Sequence, residues 1–159
     1  RVFCLSRGLG DVYKRQEQAS SEAPGQLLVP TIPVDWYSNG ARYRSSAQEG
    51  VANWYLGFVG PNNEFLAMTQ GLEVNQTWMQ LMIESNKPTG EIVIEGKTWQ
   101  VYESIQKNSP PKSKDYMMVL EYENNAVFVY GVAPKSNLED LASQLGALID
   151  ANMPSDEVN

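Results

Sequence analysis

Two arginines are the residues in this sequence best suited to hold an anion. Arg42 and Arg44 are the only arginines after residue 16, and they stand two positions apart in a predicted strand, so both should project from one face of a sheet. Arginine binds carboxylates and phosphates through paired hydrogen bonds. Pairing with surface acids is the favoured alternative, because exposed ion pairs are common. Trp36 lies outside any periodic segment and is expected to be exposed, so Trp36, Arg42 and Arg44 form the candidate ligand or partner surface.

Acid–base catalysis has few side chains to work with. The chain contains no histidine and a single cysteine, Cys4, which excludes an imidazole base, an internal disulfide and a thiolate metal site. Glycoside hydrolysis needs two carboxylates facing each other across the substrate. Glu121 with Glu123, and Glu91 with Glu95, each share a predicted strand face, but carboxylates on the solvated face of a sheet are far more common. We therefore predict no catalytic residue, no cofactor and no metal site.

The overall charge argues against two classes of partner. The chain of 159 residues suits one domain and carries a formal net charge of −7. Nucleic acids require surplus lysine and arginine, and an anionic lipid surface repels an acidic protein. We expect neither nucleic-acid binding nor direct docking on lipid.

The composition changes along the chain and suggests domain boundaries. Back-translated with permitted codons, Ser6–Gln16 matches a sequencing-library adaptor, so residues 1–16 are interpreted as foreign to the natural protein. Residues 17–34 have the composition of a linker with an extended lead-in. A single domain is expected over residues 35–151, followed by a disordered acidic tail at 152–159.

Hydrophobic periodicity predicts an α+β domain: an antiparallel sheet of about six strands, with two amphipathic helices on one face. One helix is expected from about Val74 to Glu84, with its apolar face formed by Val74, Trp78, Leu81 and Met82. A second begins at Ser136, where Ser136 and Glu139 fit a capping box, and ends before Pro154. The apolar stripe of this second helix is expected to contain Leu138, Leu141, Ala142, Leu145, Leu148 and Ile149. Hairpins are expected around Glu95-Gly96 and Asn124-Asn125. A strand–strand–helix unit occurs twice, which suggests a ββα duplication. Most aromatic residues have core spacing, and three tryptophans are the predicted core anchors: Trp54, Trp78 and Trp99.

Several short motifs occur in a recognisable order. They are Pro33-x-x-Trp36, Ala41-Arg42-Tyr43, Trp54-Tyr55-Leu56-Gly57-Phe58, Gly96-Lys97-Thr98-Trp99 and Tyr130-Gly131-Val132-Ala133. Together they resemble an uncharacterised actinobacterial membrane-anchored family, domain of unknown function 4245, over residues 28–149. The resemblance implies an extracytoplasmic domain behind a single N-terminal membrane helix, which is missing from this chain. It brings no known activity, and the longer loop at residues 108–114 departs from the family pattern.

These observations favour a non-catalytic domain of the bacterial cell envelope, held at the membrane only through the missing helix and binding an envelope protein or wall ligand. The alternative is a carboxylate-dependent hydrolase acting on envelope glycans. A purely structural or assembly module is a third hypothesis.

Overall fold

The computed structural model describes residues 2–152, with side chains from Leu9 onward except that of Glu49. Within this range the chain forms one seven-stranded antiparallel sheet and four helices, which confirms the α+β class; the sheet has one strand more than the approximate count. The strands are β1 (Tyr37–Arg44), β2 (Ala52–Val59), β3 (Phe65–Leu72), β4 (Lys87–Ile94), β5 (Lys97–Glu103), β6 (Tyr116–Tyr122) and β7 (Asn125–Gly131). The helices are α1 (Val2–Ser20), α2 (Ser46–Glu49), α3 (Gln76–Ile83) and α4 (Lys135–Asn152).

The strands lie in the order β1-β2-β3-β7-β6-β5-β4. Each half of the sheet is built from hairpins, and the two halves meet where β3 pairs with β7. The β4–β5 turn is Glu95-Gly96, as expected, and both residues have positive φ, as a two-residue type I′ turn requires. The β6–β7 turn is Glu123-Asn124, one residue earlier than predicted, since Tyr122 pairs with Asn125.

Helices α3 and α4 lie on opposite faces of the sheet. Leu141 and Leu145 of α4 join Trp54 and Trp99 in the core on one face, whereas Trp78 of α3 packs against Phe128 on the other. The expectation of both helices on one face is therefore wrong.

The placement of the helices also bears on the suggested ββα duplication. Duplicated ββα units around the antiparallel β3–β7 pair would be related by a two-fold axis perpendicular to the sheet. Such an axis keeps both helices on one face, so the arrangement does not support a duplication.

Helix α3 is shorter than predicted and turned differently. It begins after Asn75, whose side-chain oxygen accepts a hydrogen bond of 2.8 Å from the Trp78 backbone N–H. Trp78, Met79 and Ile83 face the sheet, while Leu81, predicted to face the core, is 69 % exposed.

Helix α4 begins at Lys135, one residue before the predicted Ser136. The carbonyl of Pro134 accepts the first helical hydrogen bond, so Pro134 occupies the cap position that the capping box assigned to Ser136. Pro154 and the acidic tail after Asn152 lie outside the described residues.

The segment before β1 is packed against the sheet. Helix α1 includes Ser6–Gln16 and lies along β1, with Val12 and Ala19 buried. Leu27 and Leu28, within the stretch whose composition suggested a linker, are fully buried in the same core as α4. No helix in residues 2–152 is both long and apolar enough to cross a membrane.

Candidate functional site

Buried polar side chains fix the lead-in segment to the sheet. Gln70 on β3 is completely buried; its carbonyl oxygen accepts from Leu28 N–H at 3.0 Å, and its amide nitrogen donates to the Gln26 carbonyl at 2.8 Å. Trp54 donates its indole N–H to the Leu28 carbonyl at 2.9 Å. Both backbone polar groups of Leu28 are thus satisfied by side chains of the sheet, so this non-strand segment can cross the core.

A second glutamine joins the lead-in to α4. The Gln144 side-chain oxygen accepts from the Thr31 backbone N–H at 2.9 Å and from the Thr31 hydroxyl at 2.8 Å, while its nitrogen donates to the Thr31 carbonyl at 2.8 Å. Three hydrogen bonds therefore hold one residue of the lead-in beside the helix. Beyond Thr31, the Trp36 backbone N–H donates a hydrogen bond of 3.0 Å to the Pro33 carbonyl, and this turn leads to the start of β1.

The ring of Trp36 packs beside Gly60. A Cβ atom on Gly60 would lie 2.8 Å from the Trp36 ring, so the absence of a side chain at position 60 makes room for the indole. Trp36 is consequently only 8 % exposed. The prediction that Trp36 is the exposed tryptophan is wrong, whereas Trp54, Trp78 and Trp99 are buried as predicted.

The entry into α4 depends on Gly131. Its φ is +149°, and a Cβ at this position would lie 2.2 Å from the Phe65 carbonyl oxygen. That same oxygen accepts from the backbone N–H groups of Val132 and Ala133, at 2.9 and 3.1 Å. The close approach of the chain to β3 directs α4 back across the sheet towards the lead-in.

Between the lead-in and α4 lies a cavity of about 480 Å³, here named the α4 groove. Its size is within the range usual for small-ligand sites. Apolar groups come from the lead-in, β3 and α4: Ile32, Pro33, Trp36, Leu66 and Leu141. Polar groups come from Thr31 and one side of α4: Asn137, Asp140, Ser143 and Gln144.

The polar wall of the α4 groove is available for a ligand. The side chains of Asn137, Asp140 and Ser143 make no hydrogen bond with other residues in the described part of the chain, while Gln144 is engaged by Thr31. The spacing of 137, 140, 141 and 144 places these residues on one stripe of the helix. This stripe was missed from sequence, because Leu141 suggested a core face only.

Arg42 and Arg44 do not join Trp36 in the groove. Both are exposed on β1, on the face that carries α3, and the Arg42 guanidinium lies over the Tyr55 ring at 4.5 Å from its centroid. This is a cation–π contact rather than the predicted ion pair. The three residues of the predicted surface are therefore divided between two faces of the sheet.

Next to this contact lies a tyrosine that is held neutral. The Tyr130 hydroxyl is 2.9 Å from the Thr69 hydroxyl, and burial raises the pKa of Tyr130 to about 12. Lys114 covers the Tyr130 ring, at 5.4 Å from its centroid, and pairs with Glu84 at 3.4 Å. Tyr130 is thus a packing group at neutral pH.

The carboxylate pairs singled out in the sequence are exposed strand and turn residues. Glu91, Glu95, Glu121 and Glu123 all face solvent. A different pair, Glu22 and Glu73, lines a cleft of about 210 Å³. No group of three or more metal-binding side chains was found among residues 2–152.

The chain matches the family described as Protein of unknown function (DUF4245) over residues 10–145. No curated protein matches it. No solved structure matches it either. The motif residues Pro33 and Trp36 line the α4 groove, and Gly131 directs the helix that forms its wall. Because the match covers most of its length, the chain belongs to the family Protein of unknown function (DUF4245).

Proposed function

We propose that this chain is a non-catalytic binding domain and that the α4 groove is its ligand site. The observation that carries the proposal is a cavity of about 480 Å³ with an apolar side and a polar side. Three side chains of that polar side, those of Asn137, Asp140 and Ser143, have no hydrogen-bonding partner among the described residues. Such convergence of a few polar groups on an apolar cavity is typical of ligand sites.

The lining favours a peptide segment as the ligand. Asn137 and Ser143 can each donate to and accept from amide groups, and the apolar side can hold an aliphatic side chain. Asp140 is the one charged residue of the lining and would complement an ammonium group. An envelope protein or the peptide portion of a wall ligand would offer these groups.

Binding can be tested by nuclear magnetic resonance with short lysine-containing peptides. We expect shifts of the backbone amides of Asn137, Asp140 and Ser143, and we expect Ser143→Trp to abolish them by filling the groove. Ala147→Trp adds the same bulk one turn further along α4, at an exposed position outside the lining, and should leave binding intact. Shifts that cluster elsewhere, or that survive Ser143→Trp, would contradict the assignment.

We further propose that the domain is extracytoplasmic and tethered to the membrane by a preceding helix. Support comes from the motif resemblance to a membrane-anchored family. The test is fractionation of the full-length natural protein from cells. We expect it in the membrane fraction, with the domain digested by protease added outside the cytoplasmic membrane. Recovery of the intact protein from the cytosol alone would refute the tether.

A second candidate function is a carboxylate-dependent hydrolase acting on glycans, and the cleft shared by Glu22 and Glu73 supports it. Release of reducing sugar from cell-wall glycan, abolished by Glu73→Gln and unaffected by Glu95→Gln, would establish it over the binding proposal. Absence of release by the folded protein would remove it.

A further inference from the structure

Strand β4 forms one edge of the sheet, and its outer side is open. Among the described residues it pairs only with β5. Ile94 and Lys97 flank the two-residue turn between these strands, so they form a hydrogen-bonded pair, and alternate residues along β4 do the same. Ile92 and Ile94 thus direct their backbone groups towards β5. The N–H and C=O groups of Glu91 and Val93 point outwards, where no described residue binds them.

The two halves of β4 differ as edges for another strand. The first half has features by which proteins block sheet edges: Lys87, Pro88 and a shift of register between Pro88 and Gly90. The second half, Glu91–Ile94, contains no proline and pairs with β5 in regular register. Val93 in this half is 66 % exposed. The second half of β4 is therefore the part of the edge that another strand can reach.

The side chains of this half differ between the two faces of the sheet. Ile92 and Ile94 lie on the face that carries α4 and are partly buried against its core. Glu91 and Val93 lie on the face that carries α3, but the core beneath α3 includes no residue of β4. An added strand would thus bring one set of side chains beside two isoleucines and the other set beside Glu91 and Val93.

The surface around the second half of β4 is acidic. Four exposed glutamates on β4, on β6 and in the two neighbouring turns form no ion pair among the described residues: Glu91, Glu95, Glu121 and Glu123. Lys97 is the lysine beside this turn, and Asp150 neutralises it at 2.8 Å. Lys87 is at the far end of β4. The surplus charge beside the open edge is therefore negative.

We propose that the outer edge of β4 binds an extended segment of a partner protein in which apolar residues alternate with cationic ones. The backbone of this segment pairs antiparallel with Glu91 and Val93. Its apolar side chains cover Ile92 and Ile94. Its cationic side chains pair with Glu91, and their aliphatic stems cover Val93. The site is separate from the α4 groove, which lies over the other half of the sheet.

Charge favours a cationic partner over a second copy of this chain. Antiparallel pairing of two β4 edges would bring Glu91 and Glu95 of one copy close to the same residues of the other. Like charges on neighbouring strands are destabilising, whereas opposite charges contribute favourably.

The probe is a short capped peptide that alternates arginine and valine, followed by fluorescence anisotropy. We expect it to bind the folded chain, and to bind less tightly at high salt because salt screens the charges. A peptide that alternates glutamate and valine should not bind. The arginine peptide with N-methylated backbone amides keeps its charge but cannot donate backbone hydrogen bonds, so it should not bind either. Equal binding of the N-methylated peptide would overturn strand addition in favour of charge attraction alone.

Hydrogen exchange identifies the backbone groups that the peptide occupies. In the free chain, the outward N–H groups of Glu91 and Val93 should exchange quickly, whereas Ile92 and Ile94 are already bonded to β5. Saturating peptide should slow exchange at Glu91 and Val93 by about tenfold or more and change the two isoleucines little. Bound peptide without this protection would overturn the inference.

Two substitutions test the backbone and the charge of the edge. Val93→Pro removes an outward N–H that β5 does not use, so the chain should fold and lose peptide binding. Glu91→Gln should weaken binding about two- to fivefold by removing a cross-strand charge pair. Glu17→Gln makes the same change of charge on α1, which lies along β1 at the other edge, and should leave binding unchanged. Equal losses in Glu91→Gln and Glu17→Gln would refute the charge pairing, and the N-methylated peptide tests the backbone even where Val93→Pro does not fold.

Two further results distinguish other occupants and sites. Ser143→Trp fills the α4 groove and should leave binding of the arginine peptide unchanged. Loss of binding in Ser143→Trp would place the peptide in the groove and overturn the β4 site while supporting the groove. Dimers of the free chain that Val93→Pro dissociates, detected by sedimentation equilibrium, would assign the edge to a second copy and overturn the cationic partner.

Discussion

Replacing Gln70 with leucine tests whether buried amide hydrogen bonds hold the lead-in segment on the sheet. Gln70 is completely buried and makes hydrogen bonds of 3.0, 2.8 and 2.9 Å to Leu28 N–H, the Gln26 carbonyl and the Tyr122 hydroxyl. Leucine fills a similar volume but cannot form hydrogen bonds with these three partners. A buried polar group left unsatisfied costs about 1–3 kcal/mol, so Gln70→Leu should lower the free energy of unfolding by roughly 3–5 kcal/mol.

The control is Gln100→Leu, the same exchange at a partly exposed position on β5. Gln100 makes one side-chain hydrogen bond, to the Gly90 carbonyl at 2.7 Å, and water can replace it. We expect Gln100→Leu to lower the free energy of unfolding by less than about 1 kcal/mol. Urea unfolding followed by tryptophan fluorescence gives both values. Equal losses in Gln70→Leu and Gln100→Leu would refute the role assigned to the buried amide.

The remaining predictions concern a turn, a titration and a cap. Gly131→Ala should cost more than about 2 kcal/mol or prevent folding, because its Cβ would collide with β3, whereas Gly90→Ala, at a similar φ of +159° with open space around it, should fold. The pKa of Tyr130 is raised to about 12, above the unfolded value near 10, so its stabilisation is complete below pH 10 and is lost as the pH rises to 12. Between pH 8 and pH 12, the free energy of unfolding should therefore fall by roughly 2–3 kcal/mol less in Tyr130→Phe than in the unsubstituted chain. Asn75→Ala should cost about 1 kcal/mol in thermal unfolding through loss of the α3 cap; no change would contradict the cap.

Strands and hairpins could be predicted well because local patterns determine them. Trp54, Leu56 and Phe58 alternate with Tyr55 and Gly57, which predicts that the first three share one face of a strand, and the structure buries all three in the core that contains α4. Two-residue turns carry their own signal, as at Glu95-Gly96. The side of α3 that packs against the sheet was harder to predict from the sequence. Leu81 and Ile83 are equally apolar, and only contact with the sheet distinguishes them.

The candidate site was mostly invisible in the sequence because contacts between distant residues create it. Gln144 and Thr31 are 113 positions apart, and Gln70 and Leu28 are 42 apart. Nothing in the composition of residues 17–34 shows that glutamines elsewhere will satisfy their backbone. Trp36 was likewise expected to be exposed, because the space beside Gly60 that receives its ring exists only after β2 and β3 have formed their turn.

The central β3–β7 pair has a consequence for how the chain folds. Thr69 and Tyr130, joined across this pair, are 61 positions apart, whereas every other pairing in the sheet is between consecutive strands. Closing so large a loop costs conformational entropy before any contact compensates for it. We therefore expect the local hairpins to form early and the seam between the two halves to set the folding rate, in the slow millisecond-to-second range of proteins dominated by long-range contacts.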